Sequence, residues 1–168
     1  MARHGSGVTY IPLPSADFTA SPDAVPEAPI VNDGFFPDIQ PSAVREAARI
    51  PTSITPARLR AAILGAIMTV AYDLAAFAAR STADGHATLA AIPAPQLDGQ
   101  SVQLIRYNRA VALYAKAELI ERHRDFDTTS AGGNDAQELT PTIGELRRDA
   151  LHAVRDILGK PRTTIDLI

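Results

Sequence analysis

The stretch ITPARLRAAILGAIMTVAYDLAAFAAR, residues 54–80, decides the fold. Its first two signals agree. Thr55 can accept a hydrogen bond from the free N–H groups of a first helical turn, and Pro56 stands where a missing N–H costs nothing. Leu59, Ile63, Ile67, Val70, Leu74 and Phe77 then recur at three- and four-residue steps, which stacks them along one side of a helix. Eight alanines between positions 61 and 79 leave the opposite side short of polar groups. The pattern predicts a central helix with a wide, small-residue surface on which other helices or other subunits could pack closely.

On either side of it the chain reads as helices and breaks. PSAVREAAR, residues 41–49, predicts a short helix with Pro41 in its first turn and Pro51 preventing continuation. The central helix should run to about residues 81–83, with Gly85 just past its end, where a left-handed conformation is cheap. In HATLAAIPAPQLDG two close prolines forbid a long helix, so an ordered crossing loop is expected, with one helical turn at 88–91. QSVQLIRYNRAVALYAKAELIERHRDF, residues 100–126, predicts a second long helix whose apolar stripe is Leu104, Tyr107, Val111, Tyr114 and Ala115, extended toward Leu119. Its last turns are charged, with Glu118 and Arg122 one turn apart. After a Gly132-Gly133-Asn134-Asp135 break, a last helix opens at Thr142, with Glu145 completing a capping box. Ile143, Leu146, Ala150, Val154 and Ile157 give its buried face, and Gly159 and Pro161 close it. The fold class is all-α: a small bundle of about four helices.

Both ends differ in kind from this middle. Residues 1–36 hold prolines at 12, 14, 22, 26 and 29 among Gly, Ser, Asp and Ala, too little apolar surface to offset the loss of chain entropy. They are expected to form an extended arm, with Phe35 and Phe36 anchoring it to its own core or to a neighbouring subunit. Residues 37–160 form the helical domain. Residues 161–168 form an extended tail, whose apolar end should fold back on the core or enter a partner.

Composition removes several function classes. A net charge of −3 and a sequence pI near 5.8 lack the basic excess of a nucleic-acid binder. The absence of cysteine rules out disulfides, thiol catalysis and Cys-ligated zinc, and fits a reducing cytoplasm. No stretch reaches the ~18–20 uninterrupted apolar residues of a membrane span, because Arg58, Arg60 and Asp73 interrupt the central helix. A soluble intracellular protein without membrane contact is expected. His4, His86, His123 and His152 lack the spacing of a helical zinc site, and no phosphate-cradling or nucleophile motif is present. Asp125, Asp127, Asn134 and Asp135 do not have the spacing of a calcium loop. Catalytic residues, metal ligands and cofactors are therefore assigned to none. Arg106 and Arg109 on the third helix and Arg147, Arg148 and Arg155 on the fourth could make a weak DNA contact or a polar interface. Interspersed Glu145, Asp149 and Asp156 and the lack of a stacking platform favour a solvated face.

Taken in order, FFPDI, TPARLR, DGHATLAAIPAPQLDG, AELIERHRDFDTTSAGG and RDALHAVRDILGKPRTTIDLI resemble the head completion proteins of tailed phages, the gpL type, over about residues 35–168. The resemblance implies a virion protein without catalytic residues. It would act after DNA packaging, in the host cytoplasm, and end at the head–tail interface. It also implies a ring, inferred as twelve subunits, with the portal protein on one side and a tail-side connector or terminator protein on the other. Arg162, Thr163, Thr164, Ile165, Asp166, Leu167 and Ile168 would then contact the portal or an adjacent subunit. Competing readings are a helical DNA-binding component of the packaging machinery and a small metal-dependent enzyme.

Overall fold

The computed structural model describes residues 27–124 and 141–161. Within them the order is α1 (Pro41–Ala47), α2 (Pro56–Ala83), a 3-10 turn (Leu89–Ala91), β1 (Gln96–Leu97), β2 (Gln100–Ser101), α3 (Val102–Arg124) and α4 (Ile143–Ile157). α2 begins as its sequence dictates: the Thr55 hydroxyl accepts from the Arg58 N–H at 3.4 Å, and Pro56 opens the first turn. It ends when Gly85 turns left-handed at φ +92° and the His86 N–H reaches back to the Ser81 carbonyl at 2.9 Å. α1 is shorter than the expected 41–49, because Arg49 takes φ +51° and the Ile50 N–H returns to the Arg45 carbonyl.

α3 is the middle layer. Asp73 and Gly65 of α2 lie near Tyr114 and Glu118 of α3, so those two helices run antiparallel. Arg106 reaches Asp156 and Arg147 reaches Glu121, so α4 also runs antiparallel to α3. The core between them is Leu59, Ile63, Val70 and Leu74 from α2, Tyr107, Val111 and Ala115 from α3, and Val154 and Ile157 from α4. At roughly 25 cal/mol per Å² of apolar area, a side chain of this size contributes ~1.5–3 kcal/mol when buried.

The crossing between α2 and α3 contains one feature that its two prolines conceal. β1 and β2 pair antiparallel around Asp98 and Gly99, both left-handed at φ +48° and +70°. Asp-Gly is the natural pair for such a turn, because both central residues must take positive φ. Strands of two residues carry no readable alternation, so the sequence here looks like loop alone. The hairpin delivers Ser101, whose hydroxyl accepts from the Gln103 N–H at the start of α3.

α4 carries its capping box in full: the Thr142 hydroxyl accepts from the Glu145 N–H at 3.2 Å, and the Glu145 carboxylate accepts from the Thr142 N–H at 2.8 Å. Replacing Thr142 by alanine is expected to lower stability by about 1 kcal/mol in denaturant unfolding. The backbone hydrogen bond from Thr142, followed by the one from its hydroxyl, holds the Glu145 carboxyl below its ordinary value of 4.5. Its contribution is therefore complete above pH 4.5 and is lost as pH falls through the lower, folded-state value. Thr142→Ala keeps the backbone N–H, so only the smaller part of this acid dependence, supplied by the hydroxyl, should disappear.

Composition assigns residues 27–36 to the arm, but they belong to the packed unit. Ile30 is buried and exchanges two backbone hydrogen bonds with Ile39, at 2.8 and 3.0 Å. Arg45 bridges to Glu27 at 2.9 Å, and Arg60 donates to the Ala28 carbonyl. A single isoleucine among prolines shows no local signal, since its partner lies across a turn. That turn is built by Asp33, whose carboxylate accepts from the N–H groups of Phe35 and Phe36, with Gly34 at φ +94°. Phe36 is buried and stacks on Tyr107, with centroids 4.9 Å apart and rings 8° from parallel. Phe35 meets Phe36 edge to face, and its carbonyl accepts from the Leu89 N–H at 2.8 Å.

Candidate interaction surfaces

α2 is apolar nearly all round, and only one side of it is used. Opposite Ile63, Val70 and Leu74, the side chains of Leu64, Met68 and Tyr72 are 43, 68 and 84 % exposed. They stand four residues apart and so form one ridge along the helix. Exposed Ala61, Ala75 and Ala79 flank it, and no charged side chain lies on this side between positions 61 and 79. By length and composition α2 would even qualify to cross a bilayer, with a mean hydropathy of 1.8 over eighteen residues, of which 28 % are buried here. The exposed apolar area of the ridge is on the order of 400 Å², the size of the largest patch on a typical soluble monomer, which is often functional. The row Leu64, Met68, Tyr72 is plain in the sequence, but only the fold shows which side of the helix it leaves open.

A second surface lies on the far side of α3. There α1 and α3 bound a groove of about 650 Å³, with Ala43, Val44 and Ala47 on one wall and Ile105, Ala112 and Leu113 on the other. Its charged residues are Asp38 and Arg109, of opposite sign. Nothing in the local sequence announces this groove, because its two walls come from helices more than fifty residues apart.

The five arginines named from sequence do not form one basic face. Arg106 donates to the Asp156 carbonyl at 3.1 Å, holding the end of α4 against α3. Arg147 pairs with Glu121 at 2.6 Å, Arg148 lies 3.4 Å from Asp149, and Arg155 donates to the Pro161 carbonyl at 2.8 Å. Arg106 and Arg109 share a second groove, between α3 and α4, with Asp149, His152 and Asp156. Positive charge there is offset by carboxylates within the same groove. Residues 162–168, Asp125, Asp127, Asn134, Asp135 and His4 lie outside the described residues.

Tyr107 organises the junction between the N-terminal turn and the helices. Its hydroxyl accepts from the Asn32 side-chain amide at 2.8 Å, and the same amide donates to the Pro37 carbonyl at 3.1 Å. Burial, opposed by the Asn32 hydrogen bond and assisted by the charge of Asp33, pushes its hydroxyl up to about 12. Sequence periodicity marks Tyr107 as core but does not show that it joins α3 to the turn at 32–37.

Among known proteins, residues 30–168 match the family model for phage head completion protein (GPL). The chain is 38 % identical over 164 residues to the head completion/stabilization protein of Escherichia phage P2, covering 98 % of this chain and 92 % of that protein. It is 30 % identical over 142 residues to the probable head completion/stabilization protein of Haemophilus phage HP1, covering 83 % and 91 %. No solved structure matches.

Proposed function

The chain belongs to the phage head completion protein (GPL) family, and on that premise we propose that it binds the portal vertex of the DNA-filled head as a ring and forms the surface that receives the tail. Its role is structural, in head assembly. The observation that carries this reading is the extent of the match, which runs from Ile30, the first buried residue of the described unit, to the last residue of the chain. Two unlike apolar surfaces, the α2 ridge and the groove between α1 and α3, support side-by-side packing of copies.

In this reading twelve subunits pack around the portal, and the tails, residues 162–168, extend to the portal or to an adjacent subunit. Many weak contacts, repeated by symmetry, then hold the ring in place. A tail-side connector or terminator protein would take the opposite end. The complex would form in the host cytoplasm and remain at the head–tail interface of the virion. A direct contact with packaged DNA has less support, because Arg106, Arg147 and Arg155 are engaged within the subunit.

The test uses DNA-filled heads assembled without this chain. Adding the purified protein should make the packaged DNA resistant to nuclease, with the protein sedimenting alongside the heads. Protein that stays in the supernatant while the DNA remains open to digestion would refute the reading. A salt-sensitive shift of free duplex DNA, without head binding, would favour the packaging alternative.

A further inference from the structure

We propose that the ridge of Leu64, Met68 and Tyr72 on α2 is received by the groove between α1 and α3 of a second copy of this chain, forming the contact that repeats around the ring.

Dimensions, chemistry and placement of the two surfaces agree. The ridge spans two helical turns, about 12 Å, and the groove runs beside a helix of seven residues, about 10 Å long. A row of side chains four apart is the kind of ridge that helices most commonly use to pack against other helices. The ridge has no charged side chain, which argues against nucleic acid or a strongly charged protein surface as its partner. The groove presents Ala43, Ala47, Ile105, Ala112 and Leu113, with Asp38 and Arg109 of cancelling sign. Burying the ridge there strands no unpaired charge on the ridge side.

Placement decides between a closed pair and a ring. The ridge points away from α3, because the opposite side of α2, with Ile63, Val70 and Leu74, forms the core with Tyr107 and Val111. Ile105, Arg109 and Ala112 lie on the side of α3 turned away from those same core residues. Ridge and groove are thus on opposite sides of one subunit and cannot both be satisfied within a single pair. An interface of this kind propagates head to tail, and closes into a ring when the rotation per copy allows. The inference rests on the ring reading above and specifies its subunit interface.

The absence of cysteine permits a direct test. Met68→Cys and Ala47→Cys, each in the full-length chain and each at an exposed position, are mixed under mild oxidation, alone and with purified portal. The mixed disulfide between the two variants should dominate, and adding Tyr72→Asp to the Met68→Cys chain should reduce it more than tenfold while circular dichroism stays unchanged. Disulfides from Met68→Cys to itself would overturn the inference in favour of a two-fold contact through α2. An intramolecular disulfide in a Met68→Cys, Leu167→Cys double variant, without the mixed product, would overturn it in favour of the chain's own tail. Flotation of the wild-type chain with phosphatidylglycerol vesicles, again without the mixed product, would overturn it in favour of a lipid surface. Portal binding is read separately by co-sedimentation: portal bound without the disulfide removes this inference and leaves the function, whereas the disulfide without portal binding does the reverse.

Discussion

Replacing Tyr107 by alanine should lower the unfolding free energy by about 4 kcal/mol, the size expected when a large buried aromatic is deleted from a core. Tyr107 is fully buried, stacks on Phe36 and accepts from Asn32. Its loss removes the floor beneath the 32–37 turn as well as its own packing. Residues 27–40 should consequently exchange their amide hydrogens faster than the helices do, and most of all Ile30 and Ile39, whose N–H groups are paired with each other's carbonyls. Tyr107→Phe keeps the ring and deletes only the hydroxyl. About 1 kcal/mol is expected, because the Asn32 amide retains the Pro37 carbonyl. The raised hydroxyl gives a second readout. The folded-state value of about 12 lies above the ordinary 10.0, so the neutral form is favoured in the folded protein. Stability is complete below pH 10 and falls as pH rises from 10 through 12, by up to about 1.4 kcal/mol per pH unit. Tyr107→Phe should flatten that alkaline limb. Equal losses for the two variants, or an unchanged alkaline limb, would contradict the role given to this side chain.

Removing residues 164–168 should separate folding from assembly. The packed unit ends with Ile157, which is buried, and Leu158, half-buried against the core, after which Gly159 turns left-handed. Truncation therefore takes away no described core residue, and the helical circular dichroism and midpoint of unfolding should match those of the full chain. In the proposed ring, portal binding should fall by at least ~100-fold, because every subunit would forfeit the same weak attachment and the penalties multiply. Arg155, which holds the Pro161 carbonyl, lies upstream of the cut and stays in place. A truncated protein that binds portal with undiminished affinity would show that the tail has another task.

The helices are legible in the sequence because their signals are local. Thr55-Pro56 and Thr142 with Glu145 state two N-termini within four residues each, and Gly85 and Gly159 state two ends in the same way. The stripe from Leu59 to Leu74 needs only helical spacing to be recognised as core. Features made by distant residues are not legible. Ile30 is core only because Ile39 pairs with it, and the Asn32–Tyr107 hydrogen bond joins residues 75 apart. The groove between α1 and α3 exists only once the helices are packed. The arginines are partly legible for the same reason: charge on a helix face is visible in sequence, whereas the Asp156 carbonyl beneath Arg106 and Glu121 beside Arg147 are not. The α2 ridge is a different case, since its spacing is plain and only its exposure depends on the fold.

The proposed role, a subunit held in many copies against the portal vertex, makes one demand on measurement. Purified portal rings mixed with an excess of this chain and weighed by native mass spectrometry should yield a single large species, carrying one copy of the chain for each portal subunit, about twelve, with intermediate loadings scarce. Portal rings that keep their own mass beside unbound monomer, or that carry a scattered handful of copies, would contradict it.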